Sequence, residues 1–275
     1  MRSWARALLS GARHRLEGRD LALIAAGLTF YAGIAVVPLL VLAFSFTAWL
    51  TSEERVRELG ERLSDLLPPE LGAPDAVARL VEAGVGLDPL HGLLALLPMS
   101  LYGEGLRRAL LRFSHREEAM TAWRGRLAAL PLLLVAPFLL YPLLLAAAAM
   151  ADLADGGGAW ATVGRGAVGF YAVLAALTLP LAWGFRVVGG DRVRWPALVC
   201  GALFTAACLS GFLQGFVLFL SLPLDLGAPF GGLTVVGGVV AVGFWLWLLH
   251  LVLLFCWLLT GSLDELLERR REAAA

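Results

Sequence analysis

Six apolar stretches constrain this chain more than any other feature, because each reaches the roughly 20 helical residues needed to cross a hydrocarbon core about 30 Å thick. Drawn between charge clusters and Gly/Pro breaks, they run about 21–50, 87–107, 127–151, 159–184, 196–221 and 231–260. The expected fold class is therefore all-α: a polytopic membrane protein with one six-helix transmembrane domain over 21–260. A basic segment 1–20 precedes it and a charged tail 261–275 follows. With 59% hydrophobic and 16% charged residues, the chain is neither an ordinary soluble enzyme nor a disordered one. Its three cysteines, Cys200, Cys208 and Cys256, all lie in apolar runs, where a thiol acts as a small hydrophobe rather than as half of a disulfide framework. The Arg-rich lead, with Arg2, Arg6, Arg13, Arg15 and Arg19, looks like a signal peptide's basic region. The apolar run after it is too long for an h-region of about 7–15 residues, so it reads as a retained anchor.

Net charge is zero, 22 basic against 22 acidic, so no long-range field draws in nucleic acid. The position of the charges is more informative. Every basic residue is Arg, and Lys and Asn are absent, the mark of a GC-rich genome. Seventeen of the 22 Arg fall before the first span, between spans two and three, between four and five, and after six. The positive-inside bias puts those segments, and both termini, in the cytoplasm. Four more sit among nine acidic residues in the long external loop between spans one and two.

That loop has helical signals of its own. Thr51 and Glu54 are spaced as a capping box, and Val56, Leu59, Leu63 and Leu66 recur at helical intervals before Pro68 and Pro69 end the run. A second short helix starts near Pro74, with Val77, Leu80 and Val81 on one face. The expected hairpin caps the outer mouth of the bundle, lies on the lipid interface, or docks a partner. On the opposite side, Arg107 to Arg126 interleaves Leu110, Leu111, Phe113 and Trp123 with six Arg. This suits a surface helix on anionic lipid, or a topology signal with snorkelling side chains.

The first span reads Gly27-Leu28-Thr29-Phe30-Tyr31-Ala32-Gly33 and then Pro38-Leu39-Leu40; the last opens Phe230-Gly231-Gly232-Leu233, turns bulky at Trp245 and Trp247, and ends Thr260-Gly261. With the six spans, the Arg-rich second loop and the small-residue fifth span, this pattern resembles the YihY/BrkB family of bacterial inner-membrane proteins along nearly the whole chain. Family members often carry Ser at the position of Ala35 and a Gly-Ala-Glu near Gly261-Ser262-Leu263. The resemblance implies a multi-pass protein of the bacterial cytoplasmic membrane. It implies no agreed activity, since names in the family reflect a virulence label and an older ribonuclease label.

The residues themselves argue against catalysis. Only His14, His91, His115 and His250 are present, none paired at metal-ligand spacing, and P-loop, Gly-x-Ser-x-Gly and Cys-x-x-Cys motifs are missing. His115 with Glu117 and Glu118 forms one weak metal trio that reads more simply as a solvated helix face. No cofactor or metal is expected. Ionisable residues inside a membrane point to function by default, and two qualify, Glu104 and His250. Thr29 and Tyr31 share their inner half of the bilayer, suggesting a polar vestibule among spans one, two and six, while Gln214 lies in the outer half of span five. The simpler alternatives are an ion pair of Glu104 with Arg107 or Arg108 and an interhelical hydrogen bond for His250. Pro38 is a candidate kink. Gly211 and Gly215 form a small-x-x-x-small pair for close helix approach, and Gly237 and Gly238 are a candidate hinge or packing site. The functional expectation is a protein that moves or handles a lipid-like or amphipathic envelope molecule, because broken helices around a nearly charge-free interior suit a greasy substrate. Its rival is a non-transporting scaffold docking envelope partners through the hairpin and the basic loop. A cavity between spans favours the first reading and a solid bundle the second.

Overall fold

The computed structural model describes residues 2–65, 72–114, 127, 131, 139–150, 159–190, 193–220, 222 and 224–274. Among them all regular structure is helical: α1 (Arg2–Leu16), α2 (Leu21–Leu50), α3 (Glu53–Asp65), α4 (Ala73–Val85) and α5 (Pro89–Leu111), then α6 (Leu139–Met150), α7 (Ala159–Trp183), α8 (Trp195–Leu220) and α9 (Thr234–Ala274). Four segments are long and apolar enough to cross a membrane: Leu21–Leu50, Trp160–Val188, Trp195–Phe219 and Thr234–Ala273. Helix α5 is 23 residues long but carries Glu104, Arg107 and Arg108 in its last two turns, which dilutes its hydropathy. Much of the expected third span, the basic loop beyond Ser114, and Leu66, Pro68 and Pro69 lie outside the described residues.

Local chemistry sets most helix starts. The Asp20 carboxylate accepts from Leu23 N at 3.0 Å to cap α2, and Asp88 accepts from Leu90 N and His91 N at 2.9 and 3.1 Å to cap α5. Two expectations are corrected. The cap of α3 is Ser52, whose hydroxyl accepts from Arg55 N at 3.2 Å; Thr51 instead donates its hydroxyl to Thr47 O, finishing α2. The last span does not open at 231: Gly231 and Gly232 have φ of 67° and 86°, a left-handed turn that only glycine adopts freely, and α9 starts at Thr234. The charged tail from 261 is helical, since α9 continues unbroken to Ala274.

The helices form two groups joined by α9. Helices α2 and α5 pack along one another, as do α7 and α8, and α9 touches α2, α5 and α8. The α3–α4 hairpin turns its apolar face inward, with Val56, Leu59 and Val81 buried against Phe44 of α2 and Leu144 of α6. Large apolar side chains cover the outside, and Trp49, Trp160 and Trp195 are exposed at helix ends, as in the aromatic belts of membrane proteins. Pro38, Pro98 and Pro180 lie inside continuous helices. One turn past Pro180 the backbone widens into a π-helical turn, Gly184–Val188, an irregularity often found at functional sites.

Helix α1 and the end of α9 lie together. Arg15, 8% exposed, donates to Glu265 Oε1 at 2.6 Å and to the Phe113 carbonyl at 3.4 Å. Arg270 stacks 4.5 Å over the Trp4 ring, and Arg194 pairs with Glu268 at 2.6 Å. A Cβ on Gly11 would stand 2.9 Å from Ser262 Oγ, so the helices meet almost backbone to backbone. At Gly211 and Gly215 the fit is looser: the nearest atoms to a Cβ there are on Phe170 and Trp245, both 3.9 Å away, an ordinary contact distance. The tight α8–α9 approach is at Gly201, where a Cβ would collide with the Thr260 side chain.

Candidate functional site

His250, on α9, is 1% exposed and stands where α9 faces α2 and α5. Its Nδ1 is 2.7 Å from the Leu246 carbonyl, one turn earlier on the same helix. A carbonyl can only accept, so Nδ1 carries the proton and Nε2 presents a lone pair. The Tyr102 hydroxyl, on α5, lies 3.2 Å from Nε2 and therefore donates to it. On α2, the Thr29 hydroxyl donates to Ala25 O at 2.9 Å, and its oxygen lies 3.3 Å from Nδ1 as a second acceptor of that proton. The three helices are thus tied by a polar triad whose hydrogens are all in use, inside a membrane protein where an unsatisfied polar atom is costly.

Beside the triad lies a cavity of about 410 Å³ bounded by α2, α5, α6, α7, the π turn, α8 and α9. Among the described residues, twelve of the nineteen that line it are leucine, and Tyr102 is the one that has a polar side-chain atom. Neither His250 nor Glu104 lines it. The polar vestibule expected among spans one, two and six takes a different form: an apolar chamber with a single tyrosine connecting it to a buried histidine.

The other candidates are placed as follows. Glu104, buried at 8% exposure, forms an ion pair with Arg108 one turn on. Tyr31 packs on α5, its Cε2 3.0 Å from where a Gly105 Cβ would be. It points away from Thr29, since two residues on a helix are about 200° apart. Gln214 donates to the Gly166 carbonyl at 3.2 Å, tying α8 to α7, and has no part in the triad. Gly237 is a close-packing position against the Leu226 carbonyl, whereas Gly238 has open space beside it. Pro38 sits one residue before Leu39, which lines the cavity. Among the described residues no group of three or more His, Cys, Asp or Glu could hold a metal. His115, Glu117 and Glu118 lie outside them.

Tyr102 is the member of the triad, and of the cavity lining, that sequence reasoning missed. The signal available was a phenol within an apolar span, two residues before Glu104. What hid it was the need to know which face of α5 meets α9.

The family model for virulence factor BrkB matches residues 12–275. The chain belongs to the BrkB family. No curated protein and no solved structure shows a significant match to it. For this BrkB-family chain, membership covers every element of the triad and the cavity, because α2, α5 and α9 all fall within the matched residues.

Proposed function

We propose that this chain is a six-span protein of the bacterial cytoplasmic membrane, both termini inside, which binds and moves an apolar or amphipathic envelope lipid between its two helix groups without catalysing a reaction. The observation that carries this reading is the leucine-lined cavity at the junction of the two groups. A void of this size and lining falls in the range of small-molecule sites, roughly 300–1,000 Å³, and a scaffold has no need of one. The contact of α1 with the end of α9 supports the even number of crossings, because it holds both ends of the chain on one side. The hairpin spends its apolar face on α2 and α6, which favours a cap over a docking platform. Of the arginines at the end of α5, Arg112 is exposed, and in this reading it meets anionic lipid headgroups, while Arg107 and Arg108 bond to the Val188 carbonyl and Glu104.

The test is lipidomics on a deletion strain complemented with wild type or with Ala176→Trp. Ala176 lines the cavity and is 9% exposed, so an indole there fills the void. A lipid species that changes on deletion should return to normal with wild type and stay changed with Ala176→Trp at equal protein level. An unchanged lipid profile on deletion, or full rescue by Ala176→Trp, refutes the reading.

A further inference from the structure

The cavity is chemically selective in a way that its size alone does not reveal. Charged headgroups are poorly served: among the described residues no Arg, His, Asp or Glu lines the chamber, and an ionised group brought into such a lining loses its hydration with nothing in exchange. A pure hydrocarbon would fit the leucines but would leave unused the one polar side chain among the described lining residues, that of Tyr102. The protonation pattern fixes what that oxygen offers. His250 Nδ1–H is committed to Leu246 O, so Nε2 accepts, and the single Tyr102 proton is committed to Nε2. The phenol oxygen keeps its lone pairs and has no hydrogen left to give. The one polar side chain that the described lining offers is thus an acceptor in a leucine-rich wall.

We infer that the ligand of this cavity is a neutral lipid with one free hydroxyl, which donates its hydrogen bond to the Tyr102 oxygen while its hydrocarbon lies against the leucines. The inference rests on the reading of the cavity as a lipid-handling site and narrows that reading to a substrate class. His250 acts as a positioning residue. By accepting the phenol proton it holds Tyr102 in one rotamer and enriches the oxygen as an acceptor.

The experiment uses the full chain in phosphatidylcholine vesicles with three photoactivatable probes sharing one diazirine-bearing pair of acyl chains: a diacylglycerol, its O-methyl ether and the corresponding phosphatidylglycerol. Crosslinked peptides are quantified by mass spectrometry over α6 and α7, whose Leu143, Leu177 and Leu181 line the cavity. The diacylglycerol should label these peptides roughly fivefold or more above the ether and the phospholipid, the ratio expected for one buried hydrogen bond. Tyr102→Phe should lower diacylglycerol labelling to the level of the ether and leave the ether unchanged. The ether comparison on wild type needs no variant, so it stands even if Tyr102→Phe misfolds. Equal labelling by diacylglycerol and ether, preferential labelling by the phospholipid, or a folded Tyr102→Phe that labels like wild type overturns the hydroxyl inference while leaving a lipid cavity in place. Labelling of the cavity peptides by none of the probes overturns the lipid-handling reading as well.

Discussion

At Gly201 the approach of α8 to α9 leaves no room for a side chain. A Cβ built there lies 2.5 Å from Thr260 Cγ2 and 2.9 Å from Thr260 Cβ, and closer still to Oγ1, against the 3.5–4.0 Å or so of a normal carbon contact. Thr260 cannot swing aside cheaply: it is 2% exposed and its hydroxyl donates to Cys256 O at 2.8 Å. Gly201→Ala therefore forces α8 and α9 apart by about 1 Å or breaks that hydrogen bond, an overpacking cost of about 1–3 kcal/mol. Against it stands the helix-propensity gain of alanine over glycine, about 1 kcal/mol at most. At Gly211 and Gly215 the nearest atoms are 3.9 Å away, so only the gain applies. With about 2–4 °C per kcal/mol for chains approaching this size, Gly201→Ala should melt a few degrees below wild type and Gly211→Ala at or slightly above it. Thermal unfolding in a mild detergent, followed by size-exclusion chromatography of the heated samples, reads the difference. Adding Thr260→Ala to Gly201→Ala removes Oγ1 and Cγ2 but leaves Cβ 2.9 Å away, and should recover part of the loss, a coupling that a double-mutant cycle isolates. Equal melting of the Gly201→Ala and Gly211→Ala variants would refute the close-approach argument.

In a cysteine-free background, Ser64→Cys should react with an impermeant maleimide added to intact cells and His14→Cys only after permeabilisation; the reverse pattern would sink the six-span topology. Arg15→Met removes the buried half of the Arg15–Glu265 pair and should free α1 from α9, seen as new protease cleavage before Leu21 with α9 still protected; an unchanged digest would count against the clamp. In the hairpin, the Arg55 guanidinium bonded to Glu58 holds the Glu58 carboxyl below its ordinary value. Its contribution is thus fully present above the ordinary carboxylate range and fades only as pH falls through the lower folded value. Maleimide reactivity of Ser64→Cys, corrected for thiol ionisation, should therefore be flat from about pH 8 to 5, and a rise within that window would refute the assignment. Purified protein should show no divalent-metal-dependent RNA cleavage above a mock preparation, since such hydrolysis needs clustered ligands; cleavage lost in His115→Ala with Glu117→Ala would make the chain an enzyme.

Sequence periodicity reached as far as single elements. The hairpin's buried face was legible because Val56, Leu59 and Val81 sit at helical spacing in otherwise charged helices, and charge contrast marks a buried stripe. The Glu104–Arg108 pair was legible as one of two alternatives because i,i+4 contacts are local. Tyr102, Gly201 and the tail of α9 were not, for one reason: their partners are 148, 59 and about 250 residues away. Which face meets which partner depends on helix rotation, which an apolar span with no polar stripe leaves open. In the charged tail, Asp264, Glu265 and Glu268 have Arg269, Arg270 and Arg271 close by in sequence, yet the cations they meet, Arg194 and Arg15, arrive from elsewhere.

Packing is also distributed unevenly along the bundle. At the end that holds both termini, glycines meet side chains closely in several places: Gly11 with Ser262, Gly261 with Arg15, Gly189 with Trp257 and Gly201 with Thr260. Arg15, Arg107 and Arg186 add donors to the backbone carbonyls of Phe113, Val188 and Val193. Toward the other end of α8 and α9 the glycines are different. A Cβ at Gly215 would have its nearest neighbour at 3.9 Å, and at Gly238 and Gly243 it would meet nothing within 4 Å; Gly237, pressed on Leu226, is the exception. Close-packed interfaces resist deformation, and open ones yield. Under the lipid-handling proposal, any widening of the cavity costs least on the faces of α8 and α9 around Gly215, Gly238 and Gly243, and not between α7 and α8, where Gln214 bonds to the Gly166 carbonyl and a Cβ on Gly169 would meet Gln214 at 2.8 Å. The Arg15 clamp and the His250 triad form the fixed base. The same glycines that offer helices room to approach have, at Gly211 and Gly215, left that room to Phe170 and Trp245, side chains that can turn where backbone cannot.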